Sequence, residues 1–236
     1  MSDDDAKTVR DNWLQAIQAV QDACLHADRE PNSVQIVGVS KYVDAQTTQL
    51  LFQAGCQILG ENRPQVIWEK AEHFSQSEPT PHWHMIGHFQ RNKVKKTLPL
   101  IDYLHSLDNL RLAEVVSQEA TKLGQPIKTL VEVNVTRDES KTGMRAERAS
   151  DFLGQVAELP GIEIRGLMAM SSHHAESKQI QREFDKVRTL RDELQTDHPD
   201  LSLNELSMGM SNDFAEAIAA GATMVRIGSN LWKGIL

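Results

Sequence analysis

Hydrophobic and polar positions along the chain follow one repeated unit: a short apolar or β-branched run, a turn, and a stretch with helical spacing. Runs of four to eight such residues predict strands, and the long connections between them are what parallel strands require. Helical patterns follow the strands, including a basic one through Lys96 and one over Asn212–Ala220. The predicted strands are Val34–Ser40, Cys56–Glu61, Trp83–Gly87, Tyr103–Leu107, Ile127–Val135, Ile162–Met170, Leu203–Gly209 and Thr223–Gly228.

Eight such units favour a closed (β/α)8 barrel of the TIM type, because open doubly wound sheets usually stop at about five or six strands. An additional helix over Val9–Ala27 precedes the first strand, with Trp13, Val20 and Cys24 on one face. No Pro-rich linker interrupts the alternation, and only seven residues follow Ser229. We therefore expect one domain over residues 1–236, with no second domain after the barrel.

Charge and composition narrow the classes of function. The 236 residues carry 25 Lys and Arg against 33 Asp and Glu, a net charge of -8 that disfavours binding to a nucleic-acid backbone. No apolar run approaches the ~20 residues of a membrane span, and the acidic start Ser2–Asp5 is unlike a secretory signal. Cys24 and Cys56 lack zinc or redox spacing. We expect a soluble, cytoplasmic protein without a metal.

A barrel places its active site at the carboxyl ends of the strands, and the first predicted strand ends at Lys41. A lysine buried there would have a lowered pKa, and the neutral amine can form a Schiff base with an aldehyde. Alternatively, the side chain has already left the barrel and reaches water. Position alone leaves both interpretations open.

Small residues end the last two strands, over Ser207–Ser211 and at Gly228 and Ser229. Loops in these positions commonly bind phosphate in barrels, although Ser211 can also be a simple helix N-cap and Gly228 a turn residue. Arg226 shares the strand face of Gly228, so its guanidinium requires an acceptor inside the barrel, either a carboxylate or a ring nitrogen. An aldehyde, a phosphate and an aromatic nitrogen on one molecule describe pyridoxal 5'-phosphate (PLP).

Short motifs along nearly the whole chain resemble those of the pyridoxal phosphate homeostasis proteins, and their order makes the resemblance specific. The matching segments are Gly38–Lys41, Gly60–Asn62, Trp83–Lys93, His105–Ser106, Glu139–Gly143, Arg165–Met168, Ser207–Ser211 and Val225–Gly228. The sequence differs from the family pattern at Tyr42–Val43, Arg63–Pro64 and Asn230–Lys233, which places the differences at the rim of the predicted site.

The resemblance implies a barrel like the N-terminal domain of alanine racemase, fold type III of the PLP proteins. It also implies a Schiff base between PLP and Lys41, Arg226 at the pyridine nitrogen and Asn62 beside the ring. The phosphate would be held by Ser207, by the backbone N–H groups of Met210 and Ser211, and by Gly228 and Ser229.

Three further features each allow a functional and a structural interpretation. His82, His84 and His88 resemble a metal cluster, but no ligand-spaced Cys or carboxylate accompanies them, so we expect structural histidines. The basic segment Arg91–Lys96 is expected to be a solvated face. Lys141 is either a second contact for the ligand or a surface lysine.

Two functions remain in competition. The first is a carrier that buffers and delivers PLP, as a monomer that meets PLP-dependent apo-enzymes transiently and has no substantial catalytic activity. The second is an amino-acid racemase, which would need a second base; only Tyr42 and Tyr103 are tyrosines here. Arg226 cannot protonate the pyridine ring fully, which would make PLP a weaker electron sink. A Schiff-base aldolase would need acid-base carboxylates at the strand ends, and none is seen there. The residues favour the carrier.

Overall fold

Strands and helices alternate through the chain in a computed structural model, which describes residues 2–136, 142–172 and 175–236. The helices are α1 (Asp3–His26), α2 (Ala45–Gln53), α3 (Pro64–His73), α4 (Val94–Thr97), α5 (Leu110–Leu123), α6 (Ala149–Ala157), α7 (Ser177–Asp197) and α8 (Phe214–Ala219). The strands are β1 (Gln35–Val39), β2 (Ile58–Glu61), β3 (His82–Met85), β4 (Tyr103–Leu107), β5 (Ile127–Asn134), β6 (Met144–Arg145), β7 (Ile162–Met168), β8 (Glu205–Met210) and β9 (Met224–Ile227).

Eight parallel strands close into a ring. β1 to β5 pair in order, β5 pairs with β7, and β7, β8 and β9 follow. β9 returns to β1, with Ile36 beside Val225, and this pairing closes the barrel. The predicted closed barrel is therefore confirmed. The two-residue strand β6, which the sequence pattern did not predict, pairs with β5 at the side of the ring.

The N-terminal helix is longer than the pattern predicted. It begins at Asp3 rather than Val9, because Ser2 caps it and the Asp5 side chain accepts from the Ser2 backbone in return. The acidic first turn has no apolar residue, so hydrophobic spacing alone did not reveal it. Val9, Trp13 and other apolar residues of this helix are buried, as expected.

Two predicted helices are shorter than expected. The basic helix is the single turn of α4, flanked by 3-10 turns at Arg91–Lys93 and Leu98–Leu100. The last helix, α8, begins at Phe214 instead of Asn212 and has six residues. The residues after β8 therefore form a turn before the helix, which changes the surroundings of the predicted phosphate site.

A small apolar cluster is formed by residues of four strands, β4, β5, β7 and β9. Tyr103, Leu130, Met168 and Met224 form a buried cluster separate from the main core between strands and helices. The Tyr103 hydroxyl donates to the Glu205 carboxylate.

A polar layer inside the barrel is formed by His84, His105 and Ser207. His84 Nδ1 is 2.9 Å from His105 Nε2, and His105 Nδ1 is 2.9 Å from Ser207 Oγ. Burial lowers the pKa of His84 to about 3 and holds the pKa of His105 well below its usual value, so both rings are neutral. These two histidines serve the structure, while His82 lies at the surface beside Asp102.

Candidate metal ligands, cysteines and long helices all occur in the described part of the chain. No group of three or more His, Cys, Asp or Glu residues there is arranged to hold a metal ion. Cys24 and Cys56 are buried and unbridged, and burial raises the pKa of Cys56 to about 12. Among the helices in residues 2–136, 142–172 and 175–236, none combines the length and apolar character that a bilayer crossing requires.

Candidate functional site

A cavity of about 630 Å³ opens at the carboxyl ends of the strands. This volume is ordinary for a site that holds a small molecule or cofactor. All residues that the sequence predicted for the site, except Ser207, line it together. They are Lys41, Asn62, Met210, Ser211, Arg226, Gly228 and Ser229.

Lys41 lies in the turn directly after β1 and is exposed to solvent. Its Nζ is 4.9 Å from the centre of the Tyr42 ring at the cavity rim. The sequence argument that burial within the strand end activates this amine is therefore wrong. The side chain has left the strand, as the second interpretation held, yet it still lines the cavity.

Arg226 lies between the polar layer and the cavity and is 4% exposed. Its Nη1 donates to Ser207 O and Ser207 Oγ, both at 2.7 Å, and its Nη2 donates to Ala169 O at 3.0 Å. Burial lowers the pKa of Arg226 to about 10, which leaves it charged at neutral pH. A guanidinium has five hydrogen-bond donors, so Arg226 keeps donors for a ligand in the cavity.

Ser207 does not take the position that the resemblance implied. It is fully buried, and its hydroxyl lies between His105 and Arg226 instead of in the cavity. The alternation of side chains along β8 explains why Ser207 faces the interior of the barrel. In the structure, however, it lies one layer below the opening. Its observed contacts orient Arg226.

The loops after β8 and β9 are joined at Ser211. Gly228 N–H donates to Ser211 Oγ at 3.0 Å, and Asn230 Nδ2 donates to Ser211 O at 3.3 Å. A Cβ on Gly228 would lie 3.3 Å from Val39 Cβ, which is tight. A glycine here keeps the backbone of the last loop close to β1 and to the cavity.

Asp213 organises the neighbouring part of the rim. Its carboxylate accepts from Met210 N–H and from Ser171 Oγ, and so connects the loops after β7 and β8. The Met210 N–H, which the resemblance assigned to a phosphate, thus already has an acceptor. Residue 210 lies at the end of β8 and not at a helix N-terminus.

Glu132 is a cavity residue that the sequence reasoning missed. It lies on β5, is 3% exposed, and accepts a hydrogen bond from Thr142 Oγ1. Burial raises the pKa of Glu132, while the hydrogen bond from Thr142 and, to a lesser extent, the charge of Arg226 oppose the shift. The available signal was an acidic residue between two valines, Val131 and Val133, where a carboxylate is rarely buried.

We expect Glu132→Gln to stabilise the protein at pH 8 by ~2 °C or more in Tm, and less at pH 5. A carboxyl whose pKa is raised in the folded protein makes the protein less stable as the pH rises. The loss begins above the unfolded-state pKa near ~4.3 and continues through the higher folded-state pKa. The amide keeps the shape without that cost. Thermal unfolding at both pH values measures the difference, with exposed Glu158→Gln as control. A variant less stable than wild type at pH 8 would contradict the expectation.

Of the other predicted features, His88 lines this cavity, whereas the basic segment Arg91–Lys96 does not. Lys141 is outside the described residues. In the basic segment, Arg91, Lys95 and Lys96 are exposed, which agrees with a solvated face, and Lys96 Nζ lies 4.0 Å from the Trp68 ring centre. A cleft of about 940 Å³ runs between the end of β5 and α7, but none of the predicted binding residues line it.

A closed parallel barrel with a lysine, an arginine and two glycine-serine loops at its mouth defines a class of protein. Residues 34–234 match the family model described as the alanine racemase N-terminal domain. The site and the fold thus belong to that class.

Close relatives give the family. The chain is 36% identical to the pyridoxal phosphate homeostasis protein of Aquifex aeolicus, over 92% of this chain and 93% of that one. It is 32% identical to that of Pasteurella multocida, over 95% and 97%. PipY of Synechococcus elongatus, solved with PLP bound, superposes with a TM-score of 0.85 at 33% identity, covering 94% of this chain and 99% of that one. The chain belongs to the family of pyridoxal phosphate homeostasis proteins.

Proposed function

We propose that this protein binds PLP as a Schiff base on Lys41 and maintains intracellular PLP by storing and delivering it. The observation that carries the proposal is the joint lining of one cavity by Lys41, Arg226, Ser211 and Gly228. These residues offer an amine for an aldehyde, a cation for a ring nitrogen and small-residue loops for a phosphate. The names of the relatives and the PLP-bound PipY support the same ligand.

The residues present fit PLP. We assign the phosphate to Ser211 Oγ and Gly228 N–H, which form a hydrogen bond with each other and are both donors for an anion. Met210 and Ser229 line the cavity beside them. Asn62, half-buried at the end of β2, would lie beside the ring. PLP supplies an aldehyde and an electron-withdrawing ring. Ser207, by its contacts, is assigned to hold Arg226 in place.

We propose further that catalysis is not the role of this site. Arg226 remains charged and hydrogen-bonded, so it can donate a hydrogen bond to a pyridine nitrogen but cannot protonate it fully. Of the two tyrosines, Tyr103 is bound to Glu205 inside the barrel, and burial raises its pKa. Tyr42, 56% exposed at the mouth, is the residue to suspect if a racemase activity is measured.

The same proposal covers the domain organisation, the oligomeric state and the cellular location of the protein. We propose one domain over residues 1–236, a monomer in the cytoplasm, that transfers PLP transiently to apo-enzymes. Sedimentation of the PLP-loaded protein at several concentrations tests whether the protein is a monomer.

We expect Lys41→Ala to lose the visible absorbance band of the Schiff base completely, because the amine that forms the bond is removed. Circular dichroism should stay near that of wild type, since this side chain is exposed. Exposed Lys95→Ala is the matched control and should keep the band. Borohydride reduction followed by peptide mapping should find the pyridoxyl group on Lys41. A principal adduct on another lysine would contradict the assignment.

A further inference from the structure

Three buried polar residues lie directly behind the mouth of the cavity, outside its lining. Lys70 Nζ, on α3, donates to Glu61 Oε1 at 2.6 Å and to Ser40 O at 2.8 Å. Ser40 Oγ donates to the same Glu61 Oε1 at 2.6 Å. All three residues are at most 1% exposed. One carboxylate oxygen and one ammonium thus join the ends of two strands.

The two residues that follow this network are the ones assigned to PLP. Ser40 directly precedes Lys41, and Glu61 directly precedes Asn62. Ser40 O also accepts from Val43 N–H at 3.1 Å, which closes the turn that carries Lys41. The spacing between the two assigned residues is therefore set where the chain leaves β1 and β2.

The network is a poor source of stability. Burial lowers the pKa of Lys70, and the attraction of Glu61 opposes this, so the ammonium is held at a desolvation cost. Glu61 Oε2 is buried and has no hydrogen-bond partner among the described residues. Buried ion pairs are often no better for stability than well-packed apolar residues of similar volume. A pair with an unsatisfied oxygen therefore calls for another explanation.

We propose that Lys70 and Glu61 are positioning residues, which fix Lys41 and Asn62 relative to each other so that the Lys41 amine meets the PLP aldehyde. Lys70 acts through the Ser40 carbonyl, and Glu61 acts through the Ser40 hydroxyl and its own place before Asn62. The inference rests on the proposed function and adds two residues that do not touch the ligand.

The decisive variant replaces the pair by apolar residues, Glu61→Leu with Lys70→Met. We expect a folded protein with a Tm equal to or above that of wild type, a PLP Kd raised by ~10-fold, and less Schiff-base absorbance per bound PLP. Equilibrium dialysis measures the Kd, and the visible spectrum at saturating PLP measures the fraction bound covalently. A purely structural role would change the Tm and leave both PLP measurements as in wild type.

Two milder variants keep the test decisive if the double variant does not fold. Ser40→Ala removes one hydrogen bond and should raise the Kd by ~3-fold with a lower covalent fraction. Glu61→Gln keeps an acceptor for Ser40 and Lys70, so its PLP Kd and its covalent fraction should lie between those of wild type and of the double variant. Tyr103→Phe, which removes a buried hydrogen bond at the opposite end of the barrel, should lower the Tm and leave PLP binding unchanged.

The outcomes separate the two proposals. Failure of the wild-type protein to bind PLP overturns the proposed function and this inference together. Normal binding by wild type, with the same Kd and covalent fraction in the folded double variant or in Ser40→Ala, overturns the inference alone.

Discussion

The substitution Gly166→Ala is expected to destabilise the protein by about 5 kcal/mol or more, enough to unfold an ordinary domain. Gly166 lies within β7 opposite Glu205 of β8, with a φ of +152°. A Cβ there would come within 1.8 Å of the Glu205 carbonyl oxygen. That overlap is with backbone, so it can be relieved only by separating two strands of the ring.

Gly124→Ala is the matched control for this prediction. It also has a positive φ, +79°, but a Cβ would meet nothing within 4 Å. We expect it to cost only about 1 kcal/mol, the price of the left-handed backbone alone. Urea unfolding of both variants provides the comparison. Equal losses at the two positions would show that strand separation is not the cause.

Acid is expected to weaken the fold strongly, by about 3 kcal/mol between pH 6.5 and pH 5. His84 and His105 stay neutral in the barrel because burial lowers their pKa values, to about 3 for His84. In the unfolded chain both rings take up a proton below ~6.5, so the unfolded state binds more protons than the folded state. Stability therefore rises with pH through this window and falls as the pH is lowered.

Urea unfolding at pH 7.5, 6.0 and 5.0 measures this slope. His84→Gln should unfold with a shallower pH dependence than wild type, although it is less stable at pH 7.5. His26→Gln, at an exposed position on α1, is the control and should keep the wild-type slope. An unchanged slope in His84→Gln would refute the assignment.

Hydrophobic patterning predicted the ring of strands well because buried parallel strands such as β1, with its run of Ile, Val, Gly and Val after Gln35, appear as short and nearly continuous apolar runs. It failed where other forces decide. The start of α1 depends on the Ser2 cap, and the two residues of β6 are too few to show a period. The basic segment was predicted as a helix through Lys96, but it has no sustained apolar stripe and forms only the single turn of α4 between 3-10 turns.

The candidate site was predictable where strand position alone fixes a residue. Arg226 and Gly228 face the cavity together because alternate residues share a face. The depth of a residue within the ring is not visible in the sequence, so Ser207 was placed one layer too high. Lys70 comes from a helix and reaches Ser40 only through the tertiary fold.

The pairing of β9 with β1 also has a consequence for the biosynthesis of the protein. Lys41 is among the first fifth of the residues to leave the ribosome, whereas Arg226 and Gly228 are among the last. The edge of β1 that pairs with β9 therefore stays open until residues 224–227 have been synthesised, and an open strand edge can pair wrongly. The residues assigned to PLP at the ends of β1 and β9 come together only when this pairing closes the ring.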